Sequence, residues 1–580
     1  MKIKKIASFF LIAALAAAVF GCQPIIQPPT AVTVRVTFNL NYDGMPTPHE
    51  TKDVTVGNVY GTLPSPEREG YEHTGWFFDD AGGGELVSKS TVVTKTENHV
   101  LYAFWKEIDD GVVIIPPDIT PPEIPEIDVG QYPYDIPLYA RNVKFDIGAW
   151  ELYLGGREVF YDIARAGFTY LIPISQQMDF SVNAMSAVTY MNYARDAGLK
   201  VMVNDGAISA QNGTLNTANA HLYKNHEAFM GNFILDEPFP PGSMNTNTTW
   251  INNNFGWIKT KSQAYFNYFP SDKVFYVNLL PSTTGGTDSL YFGTSWQNYM
   301  SLFLDLGLNW LSTDNYVLTT NKAGTSKTVK STFLSNIETA KKLSVSKGVP
   351  FNNFILSVPH ENGSTYYRDP TEAELRWQIT VNQAYGVDSI SYFTYASPYN
   401  GFDAWTYGDA LISNPQNGEG GVKLAKYYFA KNVNTEAQGW AHVYKRYEWQ
   451  KTFAVYQSGS SSYALFDTSV NKTLDNKISS GAAISGGVSG GKGINSVASD
   501  RHVLLGTFKD ADGRNGYMLT NATDPSSAFT ASATVAFSGY QGLLIYENGV
   551  PKVTDLDGQG KAAISLKPGE GKFLIPLTLK

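Results

Sequence analysis

Acidic residues close several apolar runs in this sequence, and these positions are where chemistry would begin. The clearest run is Phe233-Ile234-Leu235-Asp236-Glu237-Pro238, in which two carboxylic acids follow an apolar strand and proline stops it. Others are Trp150-Glu151, Asn204-Asp205, Ser312-Thr313-Asp314-Asn315-Tyr316 and Ser357-Val358-Pro359-His360-Glu361-Asn362. Paired carboxyl groups suit acid/base work, because one with a raised pKa gives a proton while the other serves as base or nucleophile. Cleavage of a glycosidic bond needs such a pair, about 5–5.5 Å apart for retention of configuration and ~6.5–9.5 Å apart for inversion. Side chains alternate along a strand, so Asp236 and Glu237 are expected to diverge, one facing the site and the other held by hydrogen bonds. Plainer readings stand beside these. Glu237 also fits a salt-bridged rim residue, Glu361 a solvated loop acid, and Asp314 the cap of the segment that follows it. Glu151 and Asp205 suit structural or substrate-positioning roles better than catalysis.

The acids have to be positioned by the elements around them. Apolar strand candidates are Val143–Trp150, Thr169–Ile174, Lys200–Asn204, Asn232–Asp236, Val274–Leu280, Trp310–Asp314, Phe354–Pro359 and Ser389–Tyr395. Helical stretches sit between them, including Val159–Ala166, Ala184–Ala197, Trp250–Phe266, Trp296–Leu306, Lys330–Ser346 and Glu372–Ala384. Strand–helix alternation repeated eight times predicts a (β/α)8 TIM barrel over residues 139–445, whose active site would lie at the C-terminal ends of the strands. An open doubly wound sheet is the competing architecture, but no Gly-rich turn follows the first strand.

Glutamates at the ends of strands four and seven resemble the clan A glycoside hydrolases, with the Asp-Glu-Pro segment similar to the strand-four motif of family 42-like barrels. That resemblance implies a glycosidase with Glu237 as acid/base and Glu361 as nucleophile, and with retention of configuration. Asp236 replaces the commoner asparagine of the motif, and Asp314 is the substitute second acid. Val274-Phe275-Tyr276-Val277-Asn278-Leu279-Leu280-Pro281, Trp310–Tyr316, Tyr367–Arg376 and Tyr385–Tyr395 resemble segments of exported bacterial glycosidase-like barrels. Substrate-binding candidates on this reading are Asp236, Glu151, Asp205 and Asn278, with Tyr316, Tyr395 and Trp405 as sugar-stacking platforms.

The chain of 580 residues has room for further units. Met1 to Lys5 is basic, Ile6 to Phe20 is apolar, and Gly21-Cys22 follows. The pattern reads as a signal peptide (residues 1–22), too short to span a bilayer comfortably. It resembles a bacterial lipoprotein signal, which implies lipidation of Cys22 and anchoring in the cell envelope; a plain secretory signal is the alternative. Residues 32–106 form a β-rich unit. Its Leu63-Pro64-Ser65-Pro66-Glu67-Arg68-Glu69-Gly70-Tyr71, Gly75-Trp76-Phe77 and Leu101-Tyr102-Ala103-Phe104-Trp105 resemble the Listeria–Bacteroides (internalin B-type) repeat. The resemblance implies a small β-grasp-like surface module. Residues 107–138 carry Pro116, Pro117, Pro121, Pro122, Pro125, Pro133 and Pro137, so they are expected to form an extended, semi-rigid spacer. Residues 446–580, with short strands and Gly-rich turns, predict an all-β sandwich.

Other chemistries find little support. Net charge is −9 with no basic cluster beyond the first residues, which argues against a nucleic-acid partner. One cysteine excludes an intrachain disulfide and a Cys-based zinc site. Neither a His-Glu-x-x-His pair nor a Gly-x-Ser-x-Gly elbow between a strand and a helix is present. Gly486 to Lys492 has phosphate-loop spacing, but Gly493 stands where Ser or Thr would ligate magnesium, so it reads as a turn. No cofactor or metal is implied. The partners expected are a carbohydrate substrate and, through the lipid, a membrane. The rival class is a non-catalytic carbohydrate-binding or adhesive surface protein that keeps the barrel as a platform.

Overall fold

The computed structural model describes residues 32–107, apart from 43–44, 46–47, 69–70, 79 and 81–85. It also describes residues 126–580, apart from 153–154, 175–177, 239–247, 283–294, 399–405, 414–420, 458–463 and 467–473. Cys22, Trp405 and the prolines from Pro116 to Pro125 lie outside the described residues.

Two compact units divide the chain near Val112. The first holds a mixed sheet of β1 (Thr33–Asn39), β2 (Glu50–Thr55), β3 (Tyr71–Phe77) and β4 (His99–Glu107), in the order β2-β1-β4-β3. Strict alternation along β1 puts Val34, Val36 and Phe38 on one face, where they meet Trp76, Leu101 and Ala103. The Trp76 indole donates to the Pro64 carbonyl at 2.9 Å, so the Pro-rich turn is tied to the core.

The second unit opens with a closed parallel barrel. Its strands are β5 (Asp146–Trp150), β6 (Tyr170–Ile172), β7 (Lys200–Asn204), β8 (Phe229–Asp236), β9 (Val274–Leu279) and β10 (Leu311–Asp314). After β11 (Leu318–Thr320) and β12 (Lys327–Val329) comes barrel strand β13 (Phe351–Leu356). β14 (His360–Asn362) and β15 (Thr365–Tyr367) then precede the last barrel strand, β16 (Ser389–Phe393). Flanking helices include α1 (Arg157–Arg165), α2 (Ala184–Asp196), α3 (Thr248–Tyr268), α4 (Trp296–Asp305), α5 (Phe333–Lys347), α6 (Glu372–Ala384) and α7 (Ala425–Gly439). Parallel strands covered by helices are buried on both faces, and β9 and β13 are buried at every position. The seventh strand begins three residues earlier than its apolar run suggests. Asn352 and Asn353 are internal polar residues there; Asn352 donates to Ser312 inside the barrel and Asn353 to Asn382 on α6, which makes both compatible with burial.

Three of the segments leaving the barrel's C-terminal end build a second small sheet. With β17 (Thr406–Tyr407) its order is β12-β11-β15-β14-β17. It stands beside the ends of barrel strands six, seven and eight and forms one wall of the mouth.

The C-terminal part is two sheets. One has seven strands, β19 (Lys477–Ser479), β18 (Tyr447–Tyr456), β22 (Val503–Asp510), β23 (Asn515–Asn521), β28 (Gly571–Leu577), β25 (Gly542–Glu547) and β26 (Val550–Asp555), in that spatial order. The other has β20 (Val488–Ser489), β21 (Lys492–Ser499), β24 (Ala531–Ser538) and β27 (Lys561–Leu566). Leu505, Leu519, Leu543 and Leu574 face the smaller sheet, whereas Phe508, Met518, Leu544 and Phe573 join the barrel's core. The large sheet is therefore buried on both sides and fuses sandwich to barrel. Gly506 permits this: a side chain there would place its Cβ 2.2 Å from the Ala384 carbonyl at the end of α6. The phosphate-loop-like glycines turn the β20–β21 hairpin, with Ser489 paired to Lys492 across Gly490 and Gly491, both at positive φ.

One expectation needs correction. The last part of the Pro-rich segment is packed, because Tyr134 and Ile136 are buried and the Tyr134 hydroxyl donates to Asp555. Asp135 N donates to the Thr578 carbonyl at 2.9 Å, adding backbone pairing that composition does not reveal.

Candidate active site

Barrel strands four and six deliver three acids to one place. Asp236 ends β8, Glu237 follows it, and Asp314 ends β10. The Asp314 carboxyl is 6% exposed and lies within hydrogen-bonding reach of the Glu237 carboxyl. Two ionised carboxylates are both acceptors, so this contact is a hydrogen bond only when one of them carries a proton. Burial, then the charges of Glu237 and Asp236, hold Asp314 well above the ordinary carboxylate range. Asp236 keeps an accessible edge, although protein surrounds most of its carboxyl. Desolvation and the neighbouring Glu237 push it up to about 7.

The alternation expected of Asp236 and Glu237 does not separate them, and the backbone shows why. Glu237 has φ +41°, a left-handed conformation uncommon outside glycine, which swings the residue out of strand geometry. Its neighbours hold it there. Glu237 N donates to the Asn278 carbonyl at 2.9 Å, and the Tyr299 hydroxyl on α4 donates to the Pro238 carbonyl at 2.9 Å. Asp236 is held by a hydrogen bond as expected, since Asn278 Nδ2 donates to its Oδ1 at 3.1 Å. Backbone strain kept in place by its surroundings is common at functional sites.

Below the acids runs a polar chain. Asn278 Oδ1 accepts from Ser312 Oγ at 2.9 Å, and Ser312 Oγ in turn accepts from Asn352 Nδ2 at 3.1 Å and pairs with the Tyr276 hydroxyl at 2.9 Å. With its oxygen accepting and its nitrogen donating, the Asn278 amide has one orientation. Asn352 Oδ1 then accepts from Tyr170 at 3.0 Å and Ser389 at 2.6 Å. Trp150, Phe233 and Tyr276 pack at this level as an aromatic floor, with Trp150 and Phe233 centroids 5.6 Å apart.

The remaining sequence candidates divide clearly. Asn278 sits in the cluster, and Tyr316 is half-buried beside it, its ring 5.0 Å from Phe393. Glu151, at φ +53°, directly follows the first barrel strand, where its carbonyl accepts from Ala396 N at 3.0 Å. Glu361 is not brought to the acids. It lies on β14, paired with Tyr366 and Thr406, and its side chain takes the face opposite His360. His360 is the residue that turns inward, stacking on Tyr367 at 4.3 Å. Asp205 is fully buried and satisfied by Tyr223 OH at 2.9 Å, Asn219 Nδ2 at 3.2 Å and Ala207 N at 3.0 Å, so it caps a short helix. Tyr395 is a core residue 1% exposed, its ring 5.4 Å from Phe168, and cannot serve as a stacking platform. Ser312, Tyr299, Lys330 and Tyr367 lie around the acids, and none of them has a role at the site on the sequence reading. Among the described residues no group of His, Cys, Asp and Glu has a metal-binding arrangement.

Comparison with known proteins decides the smaller unit. Residues 35–104 match the Listeria–Bacteroides repeat domain. The N-terminal module is a Listeria–Bacteroides repeat. No curated protein matches the chain. Similar solved structures include a β-galactosidase from the psychrophilic Marinomonas ef1, at 9% identity and TM-score 0.37, covering 51% of this chain and 60% of that one. A β-galactosidase from the Antarctic haloarchaeon Halorubrum lacusprofundi has 10% identity and TM-score 0.37, over 74% and 99% of the two chains. A monomeric β-xylosidase from Caulobacter crescentus CB15 has 9% identity and TM-score 0.28, over 76% and 97%. The chain thus spans about three-fifths of the Marinomonas enzyme's length. At this degree of similarity, activity has to be read from the site's own residues.

The raised Asp314 pKa has a measurable cost. Above about pH 4, where an unfolded aspartate has lost its proton, the folded chain still binds one. Stability from this group is therefore full below that pH and falls as pH rises toward the folded value. Asp314→Asn removes the dependence. Its melting temperature is expected to exceed that of wild type by a few degrees near pH ~8, with the gap closing toward pH ~4. Thermal unfolding across that range checks this; a constant gap or one of opposite sign contradicts it.

Proposed function

We propose that this chain is a glycoside hydrolase of oligo- or polysaccharides, working by carboxyl acid/base catalysis at the C-terminal mouth of the barrel. The observation that carries the reading is the Glu237–Asp314 contact. A proton held between two carboxyls at neutral pH is what a general acid needs. Asp314 is the buried member and acts as the reservoir. Glu237 is only half-buried, so it hands the shared proton to the glycosidic oxygen.

Asp236 is the second carboxylate of this proposal. It is the accessible acid of the three, and Asn278 orients it. Glu361 leaves that role because it faces away from the cluster. With Asp236 as nucleophile, retention of configuration is part of the proposal. Tyr316 and the aromatic wall behind it provide stacking surface. The N-terminal basic and apolar run ending at Cys22 supports export and lipid anchoring in the cell envelope, with the repeat module between the anchor and the barrel in sequence.

Reducing-sugar release from a broad glycan panel tests the reading. Wild type is expected to release product with the anomeric configuration retained by NMR, and folded Glu237→Gln and Asp314→Asn to lose about 10²–10⁴-fold in kcat. Release that neither substitution affects would sink the assignment. Glycan binding without any turnover would favour the adhesive-platform class instead. For the anchor, Cys22→Ser is expected to move the protein from the membrane fraction to the soluble fraction; unchanged fractionation excludes lipidation at that residue.

A further inference from the structure

One cation stands at the wall of the mouth. Lys330 follows β12, and its backbone N donates to the Val317 carbonyl at 2.9 Å, just after the end of β10 that carries Asp314. Its ammonium donates to the Tyr367 hydroxyl at 2.8 Å and sits 4.5 Å from that ring's centroid. Both side chains are half-buried. Tyr367 is pinned by the His360 ring stacked on it at 4.3 Å and by Tyr316 edge-on at 5.9 Å. The strand that bears it is anchored by buried Arg368, which donates to the Glu374 carboxylate at 2.8 Å and to the Thr319 carbonyl at 2.8 Å.

The donor count of this pair is uneven. An ammonium has three donors and no acceptor, so in the Lys330–Tyr367 bond lysine donates and the phenol keeps its own proton to give. Among the described residues, no ion pair or hydrogen bond joins either group to a carboxylate. Burial pulls the lysine down to about 8, and the charge of Asp314 opposes the fall. A partly desolvated ammonium that makes no direct bond to an anion is costly, and a ligand carrying acceptor-only oxygens would bond its remaining donors. Net charge of −9 gives the chain no general attraction for anionic glycans, so any selectivity for them has to be local.

We propose that Lys330 and Tyr367 form an anion-recognition pair for the substrate, gripping the carboxylate of a uronic acid residue beside the scissile bond. This rests on the glycosidase reading and names its substrate class. The two oxygens of a carboxylate match the free ammonium and phenol donors. The Glu237–Asp314 pair would act on the adjoining linkage.

Calorimetric titration of the non-cleaving Glu237→Gln protein separates this inference from the reading beneath it. Oligosaccharides of galacturonate and of glucuronate are compared with their carboxyl-reduced, neutral counterparts and with a sulfated neutral sugar. The uronate is expected to bind about 10- to 100-fold tighter than its reduced form, the range a charge-assisted hydrogen bond supplies. Adding Lys330→Met is expected to remove the preference, Tyr367→Phe to reduce it, and Lys330→Arg to retain part of it. Equal binding of acidic and neutral sugars overturns the inference and leaves the glycosidase reading standing. A sulfated sugar preferred over the uronate overturns the carboxylate assignment. If no sugar binds and the wild type cuts no glycan, both fall. Should Lys330→Met not fold, the ratio in the Lys330-containing protein still decides.

Discussion

The Asp314 and Glu237 carboxyls lie within hydrogen-bonding reach of each other, a contact that is favourable only with a proton in it, and much of the barrel's upper half is arranged around that condition. Asp314 is buried to 6% exposure, with Asp236 and Glu237 adding negative charge nearby, so ionising all three together is unfavourable. Keeping the acids in place requires Glu237 in a left-handed conformation, anchored through Asn278 and Tyr299. Asn278 is itself fixed by Ser312, and Ser312 by Asn352 and Tyr276. Polar residues inside a barrel are expensive unless every partner is supplied. Here they run as one connected chain from the middle of the barrel to the acids, which gives the site a rigid base.

The surrounding layers follow from the same arrangement. Apolar strands covered by helices leave only the C-terminal mouth for polar chemistry. On the side of strands six to eight, the small extra sheet brings His360, Tyr367 and Tyr407 against Phe393 and Tyr316. On the far side of α6 the seven-stranded sheet closes over Trp377 and Tyr444, making barrel and sandwich share one core. The repeat module is a separate unit with its own small core.

Much of this was legible from local sequence. Lys200–Asn204 and Glu372–Ala384 are the elements the sequence predicts, because periodicity and length agree there, and the structure adds a Thr371–Glu374 capping box to the helix. Asp236, Glu237 and Asp314 were visible as acids at strand ends. Their mutual contact was not, since 77 positions separate Glu237 from Asp314 and strand alternation argued against both strand-four acids reaching one place. The positive φ at Glu237 resolves that conflict, and nothing in Leu235-Asp236-Glu237-Pro238 announces it. Glu361 was misleading because Pro359-His360-Glu361 looks like a strand end, whereas the barrel strand stops at Leu356 and a hairpin begins. Tyr395 looked like a rim aromatic and is core. Tyr367 lay in a segment singled out only for its resemblance and Lys330 in no such segment, and the extra sheet is what places them together.

The most direct test of the central claim is whether a proton is held in the acid cluster at neutral pH. Isotope-edited infrared difference spectra of wild type against Asp314→Asn report the carbonyl stretch of a protonated carboxylic acid, which is distinct from that of a carboxylate. The account predicts a carboxylic-acid band at about pH 7, absent in Asp314→Asn and disappearing only well above the range in which exposed aspartates titrate. Carboxylate bands alone at that pH, with no difference between the two proteins, would contradict it.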